Sequence, residues 1–471
     1  MLRQFKDKRR KVSFIGASYK FVHQGVRDMI IAPKLSSTDM FQNTDIYLYD
    51  IDPIPMNLEY DVISRMIREN KSSIRVFKCK SRAEALDGAD YVVVSVLVGG
   101  MDAAEAEDNI CQEYGIRHTV GDTIGPMSTA RCLRMVPLLL DIAQDMEKIC
   151  PSAPLLSVTN PMAVLTHAVN TYTKIECVGI CHGTEAQVRQ LAKLYNVKRN
   201  DVCVDVCGVN HLGFIRRIEI NGRNVPMQEV IDKSRETFKK GYKDTATGAM
   251  DESDWAYEYF RMTKKLPNNG DHHFTEFFPW FFAKHAFDAN GKNKYRLDKR
   301  LHNAQERREK QQWYYDVVSG WAYAPEDTLI PDMHAYSSEN IVDMISGYEN
   351  RGYVNAFELH LNMTNNGAIP NLPRDCNLEL TCHFTPRGMQ PVAQPPLDSY
   401  SLGVLMPFIC LNDLAMKAAV EKDKQAFLEA LLLDPLLQDF DTVEELADRL
   451  WKENEKWWTP KNRRMRYAVS R

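Results

Sequence analysis

The chain has 471 residues, of which 44% are hydrophobic, and its 59 Lys and Arg against 63 Asp and Glu leave a net charge of −4. This length exceeds one typical domain, and the lack of a basic excess removes the usual electrostatic basis of nucleic-acid binding. The 11 cysteines are too sparse for a secreted disulfide scaffold, and no apolar run approaches the ~18 residues that span a membrane. These features predict a cytoplasmic protein with free thiols, whose partners include neither a membrane nor a nucleic acid.

Short apolar runs alternate with amphipathic stretches through the first part of the chain. The predicted strands are Val12–Ile15, Ile46–Tyr49, Ile74–Phe77, Tyr91–Val96, Leu155–Val158 and Cys177–Ile180. The predicted helices are Val26–Ala32, Met56–Arg68, Ala83–Leu86, Arg131–Ile149, Met162–Tyr172 and Glu185–Tyr195. Apolar strands that alternate with helices predict an α/β fold with a doubly wound, Rossmann-like parallel sheet. Ligands of such sheets bind at the carboxyl ends of the strands, where functional residues are therefore expected.

The pattern changes near residue 200. Val202–Glu219 has the composition of longer strands, residues 375–397 are extended, and residues 403–432 form a helical pair. Strands and helices mixed in this way predict an α+β unit. We therefore predict a dinucleotide-binding domain over residues 1–200 and an α+β domain over residues 201–471, which closes over the first and carries substrate, metal and oligomer contacts.

The first two strands end in residues that suit a dinucleotide. Gly16-Ala17-Ser18 follows the first strand, where a tight turn directs helix N–H groups at a pyrophosphate. Only the first glycine of the G-x-G-x-x-G pattern is present, so an ordinary strand–helix turn is the alternative. Asp50 ends the second strand, where an acid binds ribose hydroxyls or simply forms a turn. Together, Gly16, Ser18 and Asp50 predict a bound dinucleotide.

Polar residues also follow the later strands. Asn160 either caps the helix after the fifth strand or holds a substrate hydroxyl. Cys181 and His182 follow the sixth strand, and His211 follows the strand that starts near residue 202. A thiolate and an imidazole at one edge of a sheet form half of a divalent metal site and leave positions open for substrate oxygens. The alternative is that the histidines are ordinary core residues.

A polar cluster lies in the second half of the chain, in the segment Gly270–Glu276, ahead of an aromatic run. Its acid Asp271 and its two histidines, beside aromatic side chains, suit a lid over the face of a sugar. On composition alone, a polar loop that caps a helix is the favoured interpretation.

Several blocks of this sequence, in their order along the chain, resemble glycoside hydrolase family 4, the NAD- and metal-dependent glycosidases. They are VGGMDA, EYGIRHTVGDTIGP, LRMVPLLLDIAQDME, SVTNPMAVLTHAV, VGICHG, CGVNHLGF, GDHHFTEFFPWF and NNGAIPNLP. The resemblance covers nearly the whole chain. It implies NAD and Mn²⁺ as cofactors, a second half like that of lactate and malate dehydrogenases, and a homodimer or homotetramer. This family departs from the usual glycosidase scheme with two carboxylates.

The resemblance also implies a reaction. NAD⁺ takes a hydride from C3 of the sugar, and the resulting ketone acidifies the hydrogen on C2. A base removes that proton while a metal stabilises the charge that develops. The aglycone then leaves from C1, water adds, and NADH returns the hydride, so that NAD⁺ is regenerated in each cycle.

Roles carry over from the family by position. Cys181 and His211 hold the metal, and Asn160 binds the substrate near C2 or the metal. His182 is either the acid for the leaving group or a substrate contact. Gly16, Ser18 and Asp50 bind the dinucleotide.

The resemblance leaves the base at C2 open among three residues. Asp271 is the first candidate, because it matches the acidic position of the GD-x-H block. Tyr257 and Tyr259 are the alternatives, because some branches of the family use a tyrosine.

The sequence departs from the family pattern at three places. The first turn lacks its second glycine, and Gly125-Pro126-Met127-Ser128 replaces a GPGG block. Leu97 stands where branches that act on 6-phosphorylated sugars have arginine, and leucine cannot pair with phosphate. The Cys-His-Gly triplet is similar to the α-glucosidase and α-galactosidase branch. We therefore predict a non-phosphorylated α-glucoside or α-galactoside as the substrate.

Three alternatives stay open. The first is a uronic-acid glycosidase of the same family, an α-galacturonidase or α-glucuronidase. The second is a 2-hydroxy-acid dehydrogenase of the lactate/malate type, although its Gly-Glu-His-Gly block is missing and the chain is long for that class. The third is a Rossmann-type redox sensor that binds a dinucleotide and reports it to a partner.

Overall fold

The computed structural model describes residues 8–17, 21–36, 41–239, 254–280, 282, 340–350, 358–385 and 388–458. The strands are β1 Arg10–Ile15, β2 Thr44–Tyr49, β3 Arg75–Lys78, β4 Tyr91–Val94, β5 Leu155–Ser157, β6 Cys177–Ile180, β7 Val202–Val209, β8 Leu212–Ile220, β9 Arg223–Asn224, β10 Leu266–Pro267, β11 Leu359–Thr364, β12 Asn377–Thr385 and β13 Gly388–Pro391. The helices are α1 Phe21–Ser36, α2 Pro53–Glu69, α3 Arg82–Leu86, α4 Gly100–Glu113, α5 Pro126–Ile149, α6 Met162–Tyr172, α7 Gly183–Tyr195, α8 Met227–Lys239, α9 Asp254–Thr263, α10 Asp271–Phe274, α11 Ile341–Asn350, α12 Ser399–Glu421, α13 Lys424–Leu432 and α14 Val443–Glu455.

The first six strands form a parallel sheet in the order β3-β2-β1-β4-β5-β6. This is the strand order of the Rossmann dinucleotide-binding fold. Both faces of the sheet are covered, so that all four residues of β4 are buried. The predicted doubly wound parallel sheet is confirmed, and the α+β character of the second half is confirmed with it.

The strands of the second half extend this same sheet. β11 pairs antiparallel with β6, β12 with β11, β7 with β12 and β8 with β7. The thirteen strands of the described residues thus belong to one hydrogen-bonded sheet. The carboxyl ends of the parallel strands and the turn between β7 and β8 therefore belong to a single continuous scaffold.

The long helices cover the sheet with apolar faces. Among the described residues, α12 alone is long and apolar enough to cross a membrane by length and composition. Half of its most apolar window is buried inside the protein, and α12 packs against α5, α6 and α13. A core helix of a globular protein has these properties as well.

Gly16 ends β1 in a conformation that other residues avoid. Its φ is 84°, and a Cβ built there would lie 2.1 Å from the carbonyl oxygen of Ser95. Its N–H donates to the carbonyl oxygen of Tyr49 at 2.9 Å. Backbone packing between the ends of β1, β2 and β4 therefore requires glycine at this position.

Replacing Gly16 with alanine should destabilise the protein by ~3 kcal/mol, because it combines a left-handed backbone with a clash against a carbonyl group. Gly88→Ala is the matched control, since Gly88 has a φ of 64° and no atom within 4 Å of a built Cβ. That variant should lose only ~1 kcal/mol. Thermal unfolding of both variants measures the difference, and equal losses would contradict the clash.

Candidate active site

Three segments bring an acid and two histidines together. Asp122 lies in the loop before α5, His211 in the two-residue turn between β7 and β8, and His273 in α10. One possible ligand atom of each lies within 4.8 Å of those of the others. Nδ1 of each histidine is 3.8 Å from Oδ1 of Asp122. Imidazole nitrogens and a carboxylate oxygen in this arrangement suit a divalent metal ion.

A chain of hydrogen bonds orients His211. Oγ1 of Thr123 lies 2.7 Å from its Nδ1 and 3.0 Å from Oδ1 of Asp122. When the hydroxyl donates to the carboxylate, Nδ1–H of His211 donates to the hydroxyl. The Nε2 atom is then the ring nitrogen left to bind a metal, and the ring orientation is set by a partner that is not itself a ligand.

Asn160 lies beside this group, as a substrate-binding residue would. Its Nδ2 donates to Oδ2 of Asp122 at 3.2 Å, and its peptide bond to Pro161 is cis. Its Oδ1 is buried without a hydrogen-bond partner among the described residues. Buried amide oxygens normally have a partner, so this atom is available to accept a hydrogen bond from a ligand hydroxyl.

Cys181 and His182, which follow β6, lie at the same edge of the sheet as Asn160, which follows the parallel strand β5. Cys181 follows β6 and is 4% exposed, whereas His182 is exposed and directly precedes α7. Cys181 is not a member of the acid–histidine group, so its role as a metal ligand stays a prediction. Gly183 is required by packing, because a Cβ there would lie 1.9 Å from Oδ1 of Asn269.

Of the three candidates for the base at C2, the structure describes the side chain of Tyr259 only. Asp271 and Tyr257 belong to α10 and α9, but their side chains lie outside the described residues. Tyr259 is 1% exposed, and its hydroxyl lies 2.9 Å from that of Tyr400. Burial raises the pKa of Tyr259 above its usual value. A phenol held in its neutral form is a poor base, which favours the other two candidates.

Two of the predicted dinucleotide-binding residues meet at the ends of β1 and β2. Gly16 is hydrogen-bonded to Tyr49, and Asp50 follows that residue. Oδ1 of Asp50 accepts the N–H of Asp52 at 2.9 Å, so Asp50 does form a turn. Ser18 lies outside the described residues. Leu97, between β4 and α4, is 37% exposed.

Comparison with known proteins identifies the family. Residues 11–197 match the model of family 4 glycosyl hydrolases, and residues 206–437 match the model of the family 4 glycosyl hydrolase C-terminal domain. The chain belongs to glycosyl hydrolase family 4. The family resemblance expected from the sequence blocks is thereby confirmed.

Among family 4 relatives, the chain is 26% identical to an alpha-galactosidase of Bacillus subtilis (strain 168), over 90% of this chain and 93% of that protein. It is also 26% identical to an alpha-galacturonidase of Thermoanaerobacter italicus, over 91% of this chain and 92% of that protein. A solved 6-phospho-alpha-glucosidase from gut microorganisms, in complex with NAD and Mn²⁺, has a TM-score of 0.78 at 20% identity and covers 96% of this chain and 99% of its own. The structural likeness supports the fold.

Glu276 supports the loop that carries Asp122 in this family 4 chain. It is 1% exposed, and its Oε1 accepts the N–H groups of Thr119, Val120 and Gly121 at 2.6, 2.9 and 3.1 Å. Burial raises the pKa of Glu276 above its usual value, and the nearby His118 together with the N–H groups of Val120 and Gly121 opposes that effect. One carboxylate thus ties the Asp122 loop to the segment that carries His273.

Further ionisable groups are buried around the same loop. Nδ1 of His118 lies 3.2 Å from Oδ1 of Asp108. Burial lowers the pKa of His118, but the hydrogen bond to Asp108 and the negative charges of Asp108, Glu276 and Asp434 together outweigh burial and raise the pKa above its usual value. Burial raises the pKa of Asp434 to about 7. The loop is therefore held by polar contacts in the interior of the protein.

The sequence singled out His211 as a metal ligand and His273 as part of a possible lid over the sugar, but it did not predict that His273 lies beside Asp122, nor any role for Asp122 or Glu276. Asp122, His273 and Glu276 lie in the blocks HTVGDTIGP and GDHHFTEFF, which carry the family resemblance. A lone acid inside an aromatic run is an available signal for Glu276, because a carboxylate among apolar residues needs buried donors. Nothing local distinguishes Asp122 from an ordinary loop aspartate.

Proposed function

We propose that this family 4 glycosidase hydrolyses a non-phosphorylated α-galactoside or α-glucoside, with NAD and Mn²⁺ as cofactors. The observation that carries the proposal is the group formed by Asp122, His211 and His273, with the unpaired Oδ1 of Asn160 beside it. The group lies near the carboxyl edge of a Rossmann-like sheet, where a dinucleotide binds. Family membership supplies the reaction class.

The donor set fits a metal of this kind. His211, Asp122 and His273 offer two nitrogens and an oxygen, and Cys181 is the further ligand that we propose on family grounds. A divalent ion held there would place positive charge opposite sugar oxygens, and a bound NAD⁺ would accept and return a hydride. Gly16, Ser18 and Asp50 would hold that dinucleotide.

The remaining chemistry falls to side chains of the chain itself. Asn160 accepts a hydrogen bond from a sugar hydroxyl and thereby orients the ring. Asp271 removes the proton from C2, with Tyr257 as the alternative, because α10 also carries His273 and so approaches the metal-ligand group. His182 is exposed at the start of α7 and protonates the departing aglycone.

The proposal of a non-phosphorylated substrate rests on the lack of a positive charge at position 97. Leu97 is a partly exposed apolar side chain in the segment between β4 and α4, and it offers no donor to a sugar phosphate. The alpha-galacturonidase relative makes a uronic-acid glycoside the second candidate. We further propose a cytoplasmic homodimer or homotetramer, with a nucleotide-binding domain over residues 1–200 and an α+β domain over residues 201–471.

A panel of aryl glycosides tests this function. With Mn²⁺ and a reductant present, we expect turnover of an aryl α-galactoside or α-glucoside that stops when NAD⁺ or Mn²⁺ is withheld, without build-up of NADH. Turnover of galacturonides alone would establish the second candidate. Stoichiometric accumulation of NADH would instead indicate a dehydrogenase and contradict the proposal.

A further inference from the structure

Glu379 is a charged residue buried inside the sheet. It lies on β12 opposite Gly208 of β7 and has 0% exposure. A carboxylate without water is costly to bury unless several donors satisfy its oxygens. The hydrogen bonds of Glu379 therefore indicate its role in the structure.

Donors from three separate segments converge on this carboxylate. Oε1 accepts from Oγ1 of Thr184 at 2.5 Å and from Nδ2 of Asn268 at 3.1 Å. Oε2 accepts from Nδ2 of Asn210 at 3.2 Å. Asn268 donates to Oγ1 of Thr184 at 2.9 Å as well, so that the donors are linked to one another.

Each of these segments leads directly into the candidate active site. Thr184 lies in the first turn of α7, just after Cys181 and His182, and Asn210 is the neighbour of His211 in the β7–β8 turn. Asn268 begins the short stretch that leads to α10 and His273. Glu379 thus joins all three segments through hydrogen bonds of its own carboxylate.

We infer that Glu379 is a positioning residue, which sets the spacing of the metal-binding side chains without binding the metal. This inference rests on the proposed function, because it presumes that a divalent ion binds at His211. A glutamine in place of Glu379 would have an NH₂ group where one carboxylate oxygen now accepts hydrogen bonds, so donor would face donor on that side. The three segments would then separate, and the metal ligands would lose their common geometry.

Direct metal binding tests this role. Glu379→Gln should raise the Kd for Mn²⁺, measured from the spectrum of the free aqueous ion by electron paramagnetic resonance, about 10- to 100-fold. The Kd for NAD⁺ should stay within about twofold of the wild-type value, because β1 and β2 lie several strands away from β12.

Glu358→Gln is the matched control. Glu358 is 5% exposed, and its carboxylate accepts the N–H of Val204 near the start of β7, away from the turn that holds His211. This variant should lower the unfolding temperature but leave the Kd for Mn²⁺ unchanged. Equal weakening of Mn²⁺ binding in both variants would reveal a general loss of stability and overturn the inference.

Thr184→Val provides a milder second variant if Glu379→Gln does not fold. It removes one donor, keeps the shape of the side chain, and should raise the Kd for Mn²⁺ about threefold to tenfold. Wild-type affinity in a folded Glu379→Gln protein, or in Thr184→Val when only that variant folds, would overturn the positioning role alone. A wild-type protein that binds no Mn²⁺ would overturn the proposed function, and this inference with it.

Discussion

Replacing His211 with asparagine should lower kcat/KM for glycoside hydrolysis by about 1,000-fold or more, since loss of a metal ligand costs several kcal/mol in the transition state. Asparagine is chosen because His211 has a φ of 69°, and asparagine tolerates this left-handed conformation better than alanine does. The turn between β7 and β8 should therefore keep its shape. The expected defect comes from the missing imidazole.

Two measurements identify the cause of that loss. The Kd for Mn²⁺ should rise at least about 100-fold, beyond the usual effect of altering a residue that only supports a ligand. His383→Asn is the control, because His383 is 42% exposed on β12 and lies near Glu358, not in the acid–histidine group. This control should keep activity within about twofold. Wild-type turnover by His211→Asn after chelation and resupply of Mn²⁺ would refute the role of His211.

Replacing Arg134 with methionine should destabilise the protein by about 3–5 kcal/mol, because it leaves the charge of Glu107 buried without a positive charge beside it. Both side chains are 0% exposed. The guanidinium of Arg134 also donates to the carbonyl oxygen of Val98 at 2.9 Å and to Oδ1 of Asn454 at 2.8 Å. Asn454 in turn donates to Oε1 of Glu107 at 3.0 Å. The network joins α4, α5 and α14.

The midpoint of urea unfolding measures this loss. Arg449→Met is the matched control, because the Arg449–Glu113 pair has side-chain exposures of 35% and 59%, and exposed pairs contribute ~1 kcal/mol or less. Adding Glu107→Leu to Arg134→Met should recover much of the stability, since no uncompensated charge then remains. Failure of the double variant to recover would point to lost packing rather than to the buried charge.

The parallel half of the fold was predictable because its signals are local. Runs such as Tyr91–Val94 are apolar on both faces, and amphipathic helices separate them. The pairing of β11 with β6 was not predictable, because more than a hundred residues separate these strands along the chain. Short strand patterns do not specify which distant edge they join.

The candidate active site likewise combines residues with local sequence signals and residues that only distant contacts bring together. His211 was singled out because it follows a strand, but β7 runs antiparallel to β6, so the rule for the carboxyl ends of parallel strands does not by itself place this residue. Asp122 and His273 join it only through contacts between distant loops, and no local pattern specifies those contacts. Asp50 forms the turn that was one of its two predicted roles, and its contact with a dinucleotide stays a prediction.

The join between β6 and β11 also limits how the enzyme admits a sugar. Leu361 pairs with Ile180 and Asn362 with Gly179, so the two halves share a backbone ladder instead of a hinge. Rigid rotation of one half against the other would break that ladder, so we expect access to depend on the turns and short helices around the rim. A fragment cut near residue 200 would expose the unpaired edge of β6, and such edges promote aggregation. Substrate range in this scaffold is therefore better altered by grafting rim loops than by exchanging halves.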